Sequence, residues 1–192
     1  MSPRILVLAG SIRAGSFNAR LAGTMARELA QLEVETSLIS LVDFPMPLYD
    51  GDLEAKSGPP EAAVKLKRMM CLHHGVFIAS PEYNASITPL LKNTIDWVSR
   101  VRDGKEAPLP AYRDRAFALG AASNGTYGGM RSLIALRHVL ELGCGALVIP
   151  EQIVVRGAAT AFDETDHLKD EQLVRQLQTV ARRLVDTARH FI

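Results

Sequence analysis

Residues 4–18 read Arg-Ile-Leu-Val-Leu-Ala-Gly-Ser-Ile-Arg-Ala-Gly-Ser-Phe-Asn, and this stretch decides the fold class. Residues 5–9 are continuously apolar, as in a strand buried on both faces, and the run stops at Gly10. Beyond the small polar residues, Leu21, Met25 and Leu29 recur four apart on one helical face. Strand, glycine turn and helix in that order form the first unit of a parallel sheet covered by helices.

The same alternation continues to the end of the chain. Residues 34–41 read as a second strand, 75–80 as a third with the continuous apolar character of a central strand, 115–122 as a fourth and 146–155 as a fifth. Helices are expected over 62–72, from Thr88-Pro89 to about 100, over 130–142 and over 168–190. Thr88 can cap free amides and Pro89 loses nothing at the first helical position. In the last helix Leu173, Leu177, Val180 and Leu184 form the inner stripe and leave an arginine-rich outer face for solvent. Residues 43–60, rich in Pro, Gly and Asp, show no period and read as a long loop of functional or interfacial use. The predicted class is α/β, five strands and five helices in one domain over 1–192, without repeat or linker.

Composition excludes several functions. Lys and Arg total 22 against 21 Asp and Glu, a formal net charge of +1, so neither a nucleic-acid partner nor a strongly acidic docking carrier is indicated. At 192 residues roughly 70% of the unfolded surface is buried, so one core suffices without metal or disulfide. Cys71 and Cys144 lie far apart, outside any metal-ligand spacing, and both are expected as small buried residues. The first apolar run is too short for a signal peptide core, no membrane span is visible, and a cytoplasmic location is expected.

In an open parallel sheet ligands bind beyond the carboxyl ends of the strands, where strand order reverses. The loops after strands one, three and four therefore matter most. Loop one, Gly10-Ser11-Ile12-Arg13-Ala14-Gly15-Ser16-Phe17-Asn18, opens directly into a helix. Exposed amides, the positive end of the helix dipole, the hydroxyls of Ser11 and Ser16 and the cation of Arg13 suit a phosphate. An ordinary strand-to-helix turn would use the same residues. Gly10 and Gly15 have the spacing of a nucleoside-triphosphate loop, but Ser16 stands where its lysine would be, and no G-x-G-x-x-G is present. Loop two, Ser80-Pro81-Glu82-Tyr83-Asn84-Ala85-Ser86, combines flat apolar contact from Pro81 and Tyr83 with backbone amides around Glu82 to meet the edge of a planar heterocycle. Asn84 can donate and accept there, or serve the turn. Loop three, Ser123-Asn124-Gly125-Thr126-Tyr127-Gly128-Gly129, has three glycines that let backbone approach a ligand closely.

Together these loops resemble the NADPH-dependent FMN reductase family, which includes quinone, azo-dye and metal-oxyanion reductases. Gly10-Ser11-x-Arg13-x-x-Ser16-x-Asn18 is similar to its FMN phosphate loop. Pro81-Glu82-Tyr83-Asn84 with Pro89, Leu91-Lys92-Asn93 and Ile95-Asp96-Trp97 is similar to its second signature, and residues 123–129 to its third flavin loop. The resemblance implies a flavodoxin-like doubly wound sheet in the order 2-1-3-4-5 with helices on both faces. It implies noncovalent FMN, NADPH or NADH as cosubstrate, a small electron acceptor, and a homodimer or homotetramer. FMN contacts are expected from Ser11, Arg13, Ser16, Phe17, Asn18, Pro81, Glu82, Tyr83, Asn84, Ser123, Gly125 and Gly128. No catalytic side chain is expected, because the flavin carries the chemistry. Glu82 is expected to act through its backbone and Tyr83 to shape the acceptor pocket. An electron-carrier flavodoxin and a flavin-binding regulatory subunit are the rival readings.

On the third predicted helix Leu91, Ile95 and Val98 form one stripe and Leu90, Trp97 and Val101 another, about a quarter turn away. One stripe faces the sheet, and the other would expose Trp97 unless a second subunit covered it. His73 and His74 are expected near a helix end, and Asp163, Glu164 and Asp166 as dipole compensation before the last helix.

Overall fold

The structure, a computed structural model, describes residues 2–192. Five strands form one parallel sheet: β1 (Arg4–Ala9), β2 (Glu35–Ile39), β3 (Gly75–Ala79), β4 (Ala116–Ala122) and β5 (Leu147–Val155). Their order is β2-β1-β3-β4-β5, the flavodoxin-like order that the family resemblance implies, in a parallel sheet of the kind expected from the alternation of strands and helices. The order reverses between β1 and β3, whose following loops diverge and leave a crevice at the carboxyl edge. Register is continuous from Ile5 opposite Gly75 to Ala9 opposite Ala79 between β1 and β3, and from Gly75 opposite Ala116 to Ala79 opposite Gly120 between β3 and β4. Between β4 and β5 it shifts after Phe117, where Pro150 interrupts the ladder.

Alternate residues of the buried strands feed two cores. Ile5, Val7, Phe77 and Ala118 face α1 (Phe17–Gln31) and the C-terminal helix Glu171–Ala188. Leu6, Leu8, Val76, Ile78 and Phe117 face helices Glu61–Cys71, Pro89–Arg100 and Met130–His138 on the other side. Each fully buried Leu, Ile or Phe stabilises by about 1.5–3 kcal/mol. A Cβ at Gly120 would lie 2.7 Å from Phe77 Cζ and 2.9 Å from Ile153 Cγ2, so only glycine lets the Phe77 ring cross β4.

Helices in chain order are α1, α2 (Gly51–Ser57), α3 (Glu61–Cys71), α4 (Pro89–Arg100), α5 (Met130–His138), α6 (Ala158–Ala161) and α7 (Glu171–Ala188), with a π turn at Val139–Gly143. Two short helices thus exceed the predicted five. α2 lies inside the segment read as loop: Asp50 caps it, Gly58 ends it, and none of its residues is buried, so it carries no apolar period to read.

That segment also corrects the expectation for Trp97. The indole is fully buried within the chain: Nε1 donates to Pro47 O at 2.7 Å and Tyr49 packs edge-on with ring centroids 5.0 Å apart. Asn93 fixes the same strap, accepting from Tyr49 N at 2.7 Å and donating to Pro47 O at 2.8 Å. Residues 43–60 cover Trp97, so it gives no argument for a second subunit. Two other expectations change. Cys71 is exposed while Cys144 is buried. The acidic patch serves a turn: Asp163 accepts from Thr165 N and His167 N, Asp166 pairs with Arg20, and Asp170 caps α7. No helix among the described residues is long and apolar enough to cross a membrane.

Candidate active site

The carboxyl ends of β1, β3 and β4 bring the three predicted loops together around a cavity of about 250 Å³. Loop one contributes Ser11, Arg13, Ser16, Phe17 and Asn18, loop two Pro81, Glu82 and Tyr83, and the end of β4 Ala122, Ser123 and Asn124. Nine of the twelve predicted contacts therefore line one cavity. Asn84, Gly125 and Gly128 do not.

The floor is the start of α1. Ser16 caps the helix, its hydroxyl accepting from Ala19 N at 3.4 Å, and Gly15 reaches it at φ 67°. The first helical amides, those of Phe17 and Asn18, have no partner within the helix, and both residues line the cavity, where an anion would find them as donors. The Arg13 guanidinium is exposed and makes no hydrogen bond or ion pair with another described side chain, while its own amide donates to Ser11 Oγ at 3.3 Å. Asn18 is used differently from the expectation. Buried at 4% exposure, it donates to Ala122 O at 2.9 Å and accepts from Ala122 N at 3.0 Å. Its amide joins α1 to the end of β4 and so fixes the distance between the first and third loops.

The second loop is braced by its own chain. Tyr83 and Ser86 exchange backbone hydrogen bonds of 3.0 Å around a two-residue turn in which Asn84 and Ala85 have φ of 50° and 64°. A primed turn requires positive φ at both positions and asparagine tolerates it, which assigns Asn84 to the turn. The Tyr83 amide is spent on Ser86, while the amides of Glu82, Asn84 and Ala85 have no partner among the described residues. Tyr83 is half exposed at the mouth.

In the third loop Gly128 and Gly129 have φ of 60° and 93°. Both are buried, and a Cβ would come within 2.6 Å of Val154 Cγ1 at Gly128 and 2.8 Å of Ala121 Cβ at Gly129. Their missing side chains admit close approach to the chain's own strands, which corrects the expectation of approach to a ligand. Sequence reading also missed Arg131 and Ser132, whose bonds to Glu82 and Ser80 tie α5 to the second loop. The signal available was an arginine in the first turn of a helix, an unfavourable place for a cation unless a carboxylate joins it.

The donor set suits a phosphorylated planar heterocycle. Among the described residues that line the cavity, Arg13 is the one cation and is joined there by the Ser11 hydroxyl and the start of α1, while Phe17, Pro81 and Tyr83 supply flat surface. The acidic side chain in the lining, Glu82, is neutralised by Arg131.

Residues 3–161 match the family model for NADPH-dependent FMN reductase. A quinone reductase of Escherichia coli K12 is 37% identical over 138 residues, covering 71% of this chain and 69% of its own. An NAD(P)H-dependent FMN reductase of Pseudomonas aeruginosa is 32% identical over 190 residues, 94% of this chain and 96% of its own. Among solved structures, FerB of Paracoccus denitrificans, a flavoenzyme NAD(P)H:acceptor oxidoreductase, superposes with a TM-score of 0.77 at 26% identity over 98% of both chains. The chain belongs to the NADPH-dependent FMN reductase family.

Proposed function

We propose that this NAD(P)H-dependent FMN oxidoreductase holds FMN in the cavity formed by its three loops and delivers electrons to a small acceptor, with a quinone as the first candidate. The observation that carries this reading is the convergence of Arg13, Ser11 and the α1 terminus with the flat lining of Phe17, Pro81 and Tyr83 in one cavity. Bound FMN supplies the redox chemistry, taking hydride from the nicotinamide and passing the electrons to the acceptor. The protein binds and orients. Arg13 and Ser11 would hold the phosphate by charge-assisted and hydroxyl hydrogen bonds, joined by the first amides of α1. Pro81 and Phe17 would pack on the ring system, and the Glu82 amide would be available to its polar edge. That amide would favour negative charge developing there. Tyr83, at the mouth, borders the open side used in turn by nicotinamide and acceptor, which gives ping-pong kinetics.

The working form is a homodimer or homotetramer. Ile134, Leu142 and Leu147 are exposed around α5 and the start of β5, next to a groove of about 470 Å³ between α4 and the π turn, and a second copy of this face is the proposed cover. The free cysteines favour the reducing cytoplasm. Anaerobic addition of NADPH or NADH should bleach the flavin spectrum of the FMN-loaded protein, and a simple quinone should restore it. Bleaching by dithionite but by neither nicotinamide would instead make the chain an electron carrier.

A further inference from the structure

The wall between loops two and three contains a charge pair whose geometry exceeds what a surface ion pair needs. α5 begins behind Gly129, which has no side chain to cap it, so the first amides of that helix require acceptors from elsewhere. Glu82 supplies one from the opposite loop. Its Oε2 accepts from Arg131 N at 3.1 Å, and its Oε1 accepts from Arg131 Nε at 2.7 Å and also contacts Nη2. The Glu82 side chain is only 9% exposed, and the Arg131 guanidinium lies 5.1 Å from the centre of the Tyr127 ring. A second tie runs parallel to it, from Ser132 Oγ to Ser80 O at 3.1 Å. The two loops cannot separate without uncapping α5 and stranding a nearly buried carboxylate.

We infer that Glu82 and Arg131 are positioning residues that act as one unit, setting the gap into which the FMN ring system fits and keeping the charge beside it close to zero. The inference rests on the proposed FMN site and adds to it a control on redox poise. Reduction adds negative charge to the bound group. A lone cation in the wall therefore favours the reduced form, a lone carboxylate favours the oxidised form, and the intact pair does neither.

The test is a spectroelectrochemical titration of the FMN-loaded wild type, Glu82→Gln, Arg131→Gln and the double variant, with the thermal midpoint of each apo-protein and the FMN Kd measured alongside. Glu82→Gln keeps an amide oxygen for the cap but leaves Arg131 uncompensated, so the midpoint potential rises. Arg131→Gln leaves the carboxylate, so the potential falls. The double variant returns toward the wild type. Glu82→Asp keeps the charge and shortens the reach, so FMN affinity falls several-fold with little movement of potential; this separates positioning from charge. A pair serving only the fold would lower the apo thermal midpoint and move no potential. Equal potentials, or shifts of one sign in both single variants, overturn the inference and leave the FMN site standing. A wild type that binds no FMN overturns both.

Discussion

Arg13 and Arg115 stand at opposite edges of the same sheet and are treated in opposite ways. Arg115, just before β4 at the amino edge, is 5% exposed. It donates to four carbonyls: Arg113 O at 3.1 Å, His73 O at 3.0 Å, Pro110 O at 2.6 Å, and Met70 O. Arg13, just after β1 at the carboxyl edge, is exposed beside a cavity, and its guanidinium bonds to no described group. A buried cation with each of its nitrogens bonded closes a structure, whereas an exposed one with its donors free over a helix N-terminus is available to an anion. The same residue type thus marks which edge is finished and which awaits a ligand.

The largest expected effect comes from the finished edge. Arg115→Ala removes the four hydrogen bonds that tie the end of α3 and its following turn to the loop before β4, and a stability loss of about 3 kcal/mol in urea unfolding is expected, with FMN affinity little changed. A loss under about 1 kcal/mol would erase the contrast. Arg13→Ala should do the reverse. Losing a charge-assisted contact of about 1.5–3 kcal/mol weakens FMN binding roughly 10- to 100-fold, while the apo-protein keeps its stability within about 0.5 kcal/mol. Equal losses of stability and affinity in both variants would break the comparison.

pH sharpens it further. His73 and His74 belong to the finished edge. His73 meets Met69 O at 2.7 Å and Ser37 Oγ at 2.9 Å, and His74 Nδ1 accepts from Arg4 N at 3.0 Å. Burial is the largest cause lowering both pKa values; at His73 the hydrogen bond to Met69 O opposes it before Arg4 and Arg115 lower the value further, at His74 Arg4, His73 and Arg115 add to it, and Glu35 opposes weakly in both. In the unfolded chain each titrates near 6.5, so below that pH the unfolded state binds more protons than the folded one. Their contribution is present above pH 6.5 and is lost as pH falls through the unfolded value toward the lower folded ones, at up to about 1.4 kcal/mol per pH unit for the buried His73. Urea midpoints should therefore fall between pH 7 and 5, before the carboxylates titrate. A flat profile would contradict this account of the edge. The smallest effect belongs to loop two, where Ala85 sits at φ 64°. Ala85→Gly relieves that strain at the cost of chain entropy, and a net gain of about 0.5 kcal/mol, or 1–2 °C in Tm, is expected.

The strands and the three loops were legible because their signals are local. Residues 5–9 and 75–79 are apolar throughout as a doubly covered strand must be, and small residues with one cation precede α1. What escaped depended on distant partners. Asn18 looks like a ligand contact until Ala122, 104 residues on, takes both ends of its amide. Trp97 looks exposed until the strap at Pro47 and Tyr49 folds over it. Gly128 and Gly129 look permissive toward a ligand until Val154 and Ala121 occupy the space. Polar residues near a site advertise chemistry, and only the fold shows which are already spent.

FMN titration of the apo-protein, followed by flavin fluorescence, tests the central claim most directly. The account expects saturation at one FMN per chain, with affinity sharply reduced in Arg13→Ala and retained in Arg115→Ala. Absence of saturable binding in the wild type, or binding indifferent to Arg13, would contradict the assignment of the three-loop cavity.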